Sequence, residues 1–290
     1  MSKGTERFEH AADTRLSTNK TDITPFVTMF DFIVPLRARS TTEDWSGVCK
    51  VLEDTLASLR NTPGEDYRVI VVYHDRPTIA ALDARVLMLP VGFEAPPPES
   101  WMLESPERIR LWDTDKCRKI LTGLARTMAD GSRYVMPFDA DDFVSSRLVG
   151  FCLSADHPAG YFIDAGYRID DDTPGWVFPR RRFFEECGSS NILRTELAPF
   201  PDDGHTVLEF ESHFIRRYVL HAYMPEYMER IGQPLMAVPF PGAAYRFHRN
   251  NMYANRMRRP DGLLRKIGRQ LLKGKRIDTA LSTEFGFETA

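Results

Sequence analysis

Apolar runs alternate with amphipathic stretches along this chain, in an order that predicts a mixed α/β fold. Phe26-Val-Thr-Met-Phe-Asp-Phe-Ile-Val-Pro-Leu-Arg-Ala-Arg39 opens as a strand buried on both faces. From Trp45 to Leu59 the apolar residues Trp45, Val48, Val51, Leu52, Leu56 and Leu59 recur at a helical period. Tyr67-Arg-Val-Ile-Val-Val-Tyr73 is β-branched and aromatic, and it stops at His74-Asp75-Arg76-Pro77, where proline cannot continue a central strand. A short third strand, Val86-Leu-Met-Leu89, precedes the Ala95-Pro-Pro-Pro98 loop. A second helix from about Asp113 to Met128 then feeds a strand from Arg133 to Phe138. Strand, helix, strand, strand, helix, strand predicts a mostly parallel α/β sheet, with a ligand site at the carboxyl ends of its strands. Arg37, Asp75 and Asp139 would all stand there.

The strand from Arg133 ends abruptly in Asp139, Asp141 and Asp142. Three acids within four positions repel one another and lose hydration if buried unpaired, so they call for a cation, positive side chains or open solvent. On an extended chain Asp139 and Asp141 share one side and Asp142 takes the other. Two hard oxygen donors on one side suit Mg²⁺ or Mn²⁺, with water and a phosphorylated substrate completing the shell. A purely structural alternative is an acidic strand-to-helix turn in which Asp142 caps a helix beginning near Phe143.

Downstream the pattern shortens. Gly160 to Ile169 reads as one strand or a pair of short ones, and Asp170-Asp-Asp-Thr-Pro-Gly175 as a turn leading to Trp176-Val-Phe178, with antiparallel pairing expected. Gly188-Ser-Ser-Asn191 is a small polar loop, and Val238-Pro-Phe-Pro-Gly242 delivers Ala244-Tyr-Arg-Phe-His248 as a short strand. From Gly262 to Arg276 the residues Leu263, Leu264, Ile267 and Leu271 form one helical stripe in a strongly basic stretch. Such a helix either lies on an anionic membrane surface or packs its stripe on the parent domain.

These pieces resemble the GT-A type of nucleotide-sugar glycosyltransferase, close to its family-2-like members, over roughly Phe26 to Asn255. The specific part of the likeness is the acidic motif and its spacing from the first two strands. The resemblance implies a GT-A, Rossmann-like, mostly parallel sheet flanked by helices, with a smaller antiparallel portion on the acceptor side. It implies nucleotide contacts at Pro35, Arg37, Asp75, Lys116, Asp139 and Arg246, with Arg118 and Lys119 as rivals to Lys116. It implies a metal shell of Asp139, Asp141 and His248, holding Mn²⁺ or Mg²⁺, and sugar contacts at Ser189, Ser190 and Asn191, which otherwise cap a local turn. The proton acceptor of inverting members falls on Glu211 or His213, with Glu209 and Asp203 behind them. The stretch from about Leu208 to Tyr223 also reads as an ordinary surface helix. The implied partners are a UDP- or GDP-sugar and a hydroxyl acceptor, a glycan or a lipid-linked molecule.

Composition narrows this picture. With 290 residues, 42% hydrophobic and 11% aromatic, the chain can bury one large core, and it shows no internal repeat. The expected organisation is a disordered segment over 1–23, one domain over 24–260 and a basic amphipathic tail over 261–290. A formal net charge of −3 argues against a general nucleic-acid binder. The cysteines at 49, 117, 152 and 187 make no Cys-any-any-Cys pair, so structural thiols are expected, and no apolar run reaches signal-peptide or membrane-span length. A cytoplasmic protein follows, with peripheral membrane contact through the basic tail. Two other readings share these features: a nucleotidyltransferase, although Pro35-Leu-Arg-Ala-Arg39 lacks a glycine-rich phosphate loop, and a catalytically silent carbohydrate- or partner-binding module.

Overall fold

The computed structural model describes residues 30–98, 106–200, 218–248 and 270–287. A seven-stranded sheet forms the centre, with β1 (Phe30–Pro35), β2 (Tyr67–Tyr73), β3 (Val86–Pro90) and β4 (Tyr134–Pro137) side by side in the order β3-β2-β1-β4, all parallel. Beyond β4 come β9 (Asn191–Arg194), the sheet's one antiparallel strand, then β6 (Gly160–Phe162) and β10 (Met236–Ala237). A second, mostly antiparallel sheet has the order β12-β8-β7-β11-β5. Its strands are β5 (Phe143–Val144), β7 (Ala165–Asp170), β8 (Trp176–Arg181), β11 (Ala243–Phe247) and β12 (Lys275–Arg276). The expected fold class, a mostly parallel α/β sheet with helices and a smaller antiparallel portion, is what the chain adopts.

Both faces of the central strands are covered, which is why β1, β2 and β4 read as unbroken apolar runs. Phe30, Phe32, Val34, Val69, Val71 and Met136 face a core that includes Leu52, Leu56 and Leu59 of α1 (Trp45–Arg60) and Leu148 and Val149 of α3 (Leu148–Ala155). Ile33, Ile70, Val72 and Val135 face Ile120, Leu121 and Leu124 of α2 (Pro106–Asp130) and Met224 and Met228 of α4 (Met224–Arg230). A Cβ on Gly123 would come within 2.5 Å of Ile33, so a residue without a side chain lets α2 lie close on β1.

Several local expectations shift. The stretch from Gly160 splits into two strands belonging to different sheets, and α2 begins earlier than its apolar period suggests, at Pro106, a residue suited to a first helical turn. No helix starts at Phe143. Phe143 and Val144 instead pair with Ala244 and Ala243 of β11, so their backbone groups go to a sheet, and the helix waits until Leu148. In the described part of the C-terminal stretch, Lys275–Arg276 pairs with β8, and α5 (Thr279–Phe285) packs Leu281 and Phe285 with Phe143 and Val177. Leu271 and Leu272 are 73% and 84% exposed. No helix among the described residues is long and apolar enough to cross a membrane.

Candidate active site

The central strand order reverses between β1 and β4. The connection from β1 leads outward to β2 and β3, and the chain then returns to β4 on the other side. Loops leaving the carboxyl ends of two such strands diverge and open a crevice, the usual ligand position in open α/β sheets. One cleft occupies this place. Pro35, Leu36 and Arg37 line it from the end of β1, Asp139, Ala140 and Asp141 from the end of β4, and Trp112, Asp115, Lys116 and Lys119 from α2. Gly188, Val219, His221, Tyr245 and His248 complete it from the second half of the chain.

Beyond Pro137 the chain turns instead of staying extended: the Asp142 amide donates to the Asp139 carbonyl at 3.3 Å. This is why Asp142 joins Asp139 and Asp141 instead of taking the opposite side, and ligand atoms of all three lie within 4.8 Å of one another. The three differ in environment. Asp139 and Asp141 are a quarter exposed, whereas Asp142 is fully buried. The Asp142 Oδ2 accepts from Ser189 Oγ at 2.6 Å and Cys187 Sγ at 3.1 Å, and its Oδ1 from the Arg246 amide at 3.2 Å. Burial, followed by the neighbouring charges of Asp141 and Asp139, pushes the Asp142 carboxyl well above the usual carboxylate range. The exposed pair has its own partners: Lys116 Nζ lies 2.5 Å from Asp139 Oδ1, and His248 Nε2 lies 2.9 Å from Asp141 Oδ2.

The loop at Gly188 supports this cluster from below. Ser189 is buried, and its Oγ accepts from the Asp139 amide at 2.8 Å while donating to Asp142. Ser190 and Asn191 are buried too, and Asn191 Nδ2 donates to the His221 carbonyl at 3.0 Å. All three residues expected to meet a sugar are therefore turned inward, and only Gly188 of that loop lines the cleft. A Cβ there would stand 2.7 Å from Asp139 Oδ2.

At the β1 end, the Arg37 guanidinium lies 5.3 Å from the Trp112 ring centroid, and its Nε donates to Thr41 Oγ at 3.1 Å. Asp75 is outside the cleft wall, and its Oδ2 accepts from the Arg39 amide at 2.9 Å, tying the loop after β2 to the loop after β1. Arg246 also turns away. Its guanidinium meets Asp54 at 2.9 Å and Asp171 at 3.2 Å, and only its backbone amide reaches the acidic cluster. Glu211 and His213, with Glu209 and Asp203, lie outside the described residues.

Two features of the cleft go beyond what the sequence offered, where Lys119 stood only as a rival to Lys116. Lys119 is buried, and its Nζ donates to the Leu36 carbonyl at 2.8 Å and to Asp115 Oδ2 at 2.6 Å, while Asp115 Oδ1 meets His74 Nε2 at 2.6 Å. Burial pulls the Lys119 pKa down and Asp115 opposes it. The second feature is His221, whose Nδ1 faces the Val219 carbonyl at 3.1 Å. Burial first and Lys116 second hold His221 below its ordinary pKa. The i,i+4 spacing of Asp115 and Lys119 on a helix was the only available hint of the first.

The donor set suits a hard divalent ion. Carboxylate oxygens of Asp139, Asp141 and Asp142 converge at a cleft wall, and the imidazole of His248 meets Asp141 there, hard oxygen and nitrogen donors of the kind such an ion takes.

No family model matches the chain, and no curated protein matches it. Among solved structures it is similar to a protein of Desulfovibrio desulfuricans G20 assigned provisionally as a nucleotide-diphospho-sugar transferase. The identity is 12%, the match covers 76% of this chain and 81% of that one, and the TM-score is 0.37, too low to carry an argument about this cleft.

Proposed function

We propose that this chain is a glycosyltransferase of the GT-A, family-2-like type, moving a sugar from a UDP- or GDP-sugar to a hydroxyl of a glycan or lipid-linked acceptor. The observation that carries the reading is the convergence of Asp139, Asp141 and His248 at the strand-order reversal, beside the basic Lys116. Asp139, Asp141 and His248 would hold Mn²⁺ or Mg²⁺, which when bound neutralises charge on the diphosphate leaving group. Lys116 meets a phosphate oxygen. Pro35, Arg37 and Trp112 shape the nucleoside end, and Asp75 keeps its two loops together. Ser189, Ser190 and Asn191 act through the acids they support, and Arg246 through its amide on Asp142.

In the transfer, the bond between the anomeric carbon and the diphosphate oxygen breaks while the acceptor oxygen bonds to that carbon. The acceptor's proton passes to a base, for which Glu211 and then His213 are the candidates of an inverting mechanism. The enzyme works in the cytoplasm, with no nucleic-acid partner, and the basic C-terminal stretch with its exposed Leu271 and Leu272 meets the membrane periphery. The test is calorimetric titration of UDP and GDP with Mn²⁺ and then with chelator, followed by mass-spectrometric detection of sugar transfer. Stronger binding with metal for at least one nucleotide is expected, because an uncompensated acidic cluster repels a diphosphate. Equal affinity in both conditions, or no binding of any nucleotide, would favour a catalytically silent carbohydrate- or partner-binding module, and release of pyrophosphate from a nucleoside triphosphate would favour a nucleotidyltransferase.

A further inference from the structure

Among the described residues the carboxylates that line the cleft are Asp115, Asp139, Asp141 and Glu186. Three of them are accounted for. Asp115 is held by His74 and Lys119, and Asp139 and Asp141 form the candidate metal pair. Glu186 belongs to neither group. Its Oε2 lies 3.2 Å from Arg180 Nε of β8, and no other described residue meets its carboxylate. At 41% exposure it is the most open acid on the wall.

The local chain is built to put it there. Arg182, in left-handed backbone at φ 52°, turns the chain out of β8, a conformation that a residue with a side chain holds only where its surroundings impose it. Phe183 is then buried in the space left by Gly166, where a Cβ would stand 2.4 Å from its ring. The Phe183 carbonyl takes the Glu186 amide at 3.0 Å and the Cys187 amide at 3.1 Å. Cys187 Sγ reaches Asp142, and Gly188 lies against Asp139. The backbone of Glu186 is therefore fixed on both sides, close in the chain to the acids and apart from the nucleoside end that Pro35, Arg37 and Trp112 shape.

We propose that Glu186 binds hydroxyls of the transferred sugar, and so sets which sugar nucleotide the cleft accepts. This role rests on the sugar-nucleotide reading above. An ionised carboxylate only accepts hydrogen bonds, so it repels a diphosphate and suits a hydroxyl. In a sugar nucleotide whose diphosphate meets the metal pair, the next group along is the sugar. Glu186 is two residues from the glycine that lies against Asp139 of that pair, and its two oxygens can take two neighbouring ring hydroxyls while Arg180 compensates the charge. A site that hydrogen-bonds a hydroxyl rejects an analogue lacking it. The donor class is therefore a nucleoside-diphosphate hexose with adjacent free hydroxyls. A Glu186 that served only to pair with Arg180 would give a different pattern, because its loss would not distinguish a sugar nucleotide from the bare nucleotide.

The experiment is calorimetry in Mn²⁺ with UDP, GDP, UDP-glucose, UDP-galactose and GDP-mannose, on the wild-type chain, Glu186→Gln and Glu186→Ala, with thermal melts to check folding. For the sugar nucleotide that wild type binds best, affinity should fall about tenfold in Glu186→Ala and less in Glu186→Gln, which keeps one acceptor oxygen. Affinity for the matching bare nucleotide should stay within about threefold, since no hydroxyl contact is lost. An equal loss for nucleotide and sugar nucleotide, no loss for either, or variants that no longer fold would overturn the role of Glu186 and leave the nucleotide reading standing. So would a wild-type chain that binds UDP or GDP but none of the three sugar nucleotides. No binding of any of the five ligands to the wild-type chain would overturn the sugar-nucleotide reading, and the role of Glu186 with it.

Discussion

Replacing Gly188 with alanine tests the site through a single atom. An alanine Cβ at that position would stand 2.7 Å from Asp139 Oδ2, 3.3 Å from its Cγ and 3.4 Å from Oδ1. Ordinary contact begins at 3.4 Å, so the nearest oxygen must retreat by about 0.7 Å, the difference between 3.4 and 2.7. Gly188 is not among the glycines with positive φ, so the backbone accepts alanine, and the strain falls on the Asp139 carboxylate. That carboxylate is partly exposed and can swing, so the fold should lose no more than about 1 kcal/mol. A metal site tolerates far less, since ligand distances hold to about 0.2 Å. Disturbing the support of a ligand typically costs about 10–100-fold in metal affinity, or about 1.4–2.8 kcal/mol. Gly188→Ala should therefore melt close to the wild-type temperature in urea and heat, while Mn²⁺-supported UDP or GDP binding by calorimetry weakens by that factor. Wild-type nucleotide affinity in Mn²⁺ with an intact fold would remove Asp139 from the site.

Asp141→Asn keeps the side-chain volume but removes a charge from the ligand pair, so sugar transfer followed by mass spectrometry should fall at least about a hundredfold with little change in melting; full metal-dependent turnover would refute its role. Arg68→Leu acts at the other end of the sheet, where Arg68 Nη2 meets the fully buried Asp31 at 2.6 Å. Taking the cation from that buried carboxylate should cost about 3–5 kcal/mol in urea denaturation with nucleotide affinity unchanged, and a loss under about 1 kcal/mol would contradict the burial. His221 gives a pH signature. Its folded pKa lies below the ordinary 6.5, so the unfolded chain binds the proton more readily. The stability it contributes is complete above about 6.5 and declines as the pH falls below that value. His221→Gln should flatten this slope in urea melts between pH 7 and 5, and an unchanged slope would mean the ring is not buried as described.

The framework was legible because its signals are local. Tyr67–Tyr73 stands where its β-branched run placed it, since a strand buried on both faces has no polar position to blur its ends. The acidic motif was legible for a similar reason: carboxylates directly after an apolar strand have few structural explanations. What escaped the sequence depends on pairing across long separations. Asp142 is fixed in the cluster by the Arg246 amide of β11, about a hundred residues away in the chain, beside which Phe143 and Val144 pair with Ala244 and Ala243. Arg246 looked suited to phosphate by its neighbours, yet Asp54, on a helix near the start, holds its guanidinium elsewhere. Ser189, Ser190 and Asn191 offered a sugar-binding loop or a capped turn, and in the fold they are buried, with Ser189 Oγ bonded to Asp142 and the Asp139 amide and Asn191 Nδ2 to the His221 carbonyl.

The same strand carries two kinds of charge, and their placement separates holding the fold from working on a ligand. At the amino end, Asp31 on β1 is paired with Arg68 on β2 and accepts from Ser132 Oγ at 2.9 Å, with Arg68 also reaching Asp130. Every member of that group has its partner inside the protein, and none of them lines the cleft described above. At the carboxyl end, the buried Lys119 secures the last carbonyl of the strand's extension, Leu36, while the more exposed Lys116, three residues earlier on the same helix, meets Asp139 at the cleft wall. A lysine with both bonds buried fixes geometry, whereas one on a flexible stem at an open wall can exchange its partner. Helix α2 thus presents a fully buried cation committed to the end of β1 and a partly exposed one within a single turn, both at the wall of the cleft beside the acids that follow β4.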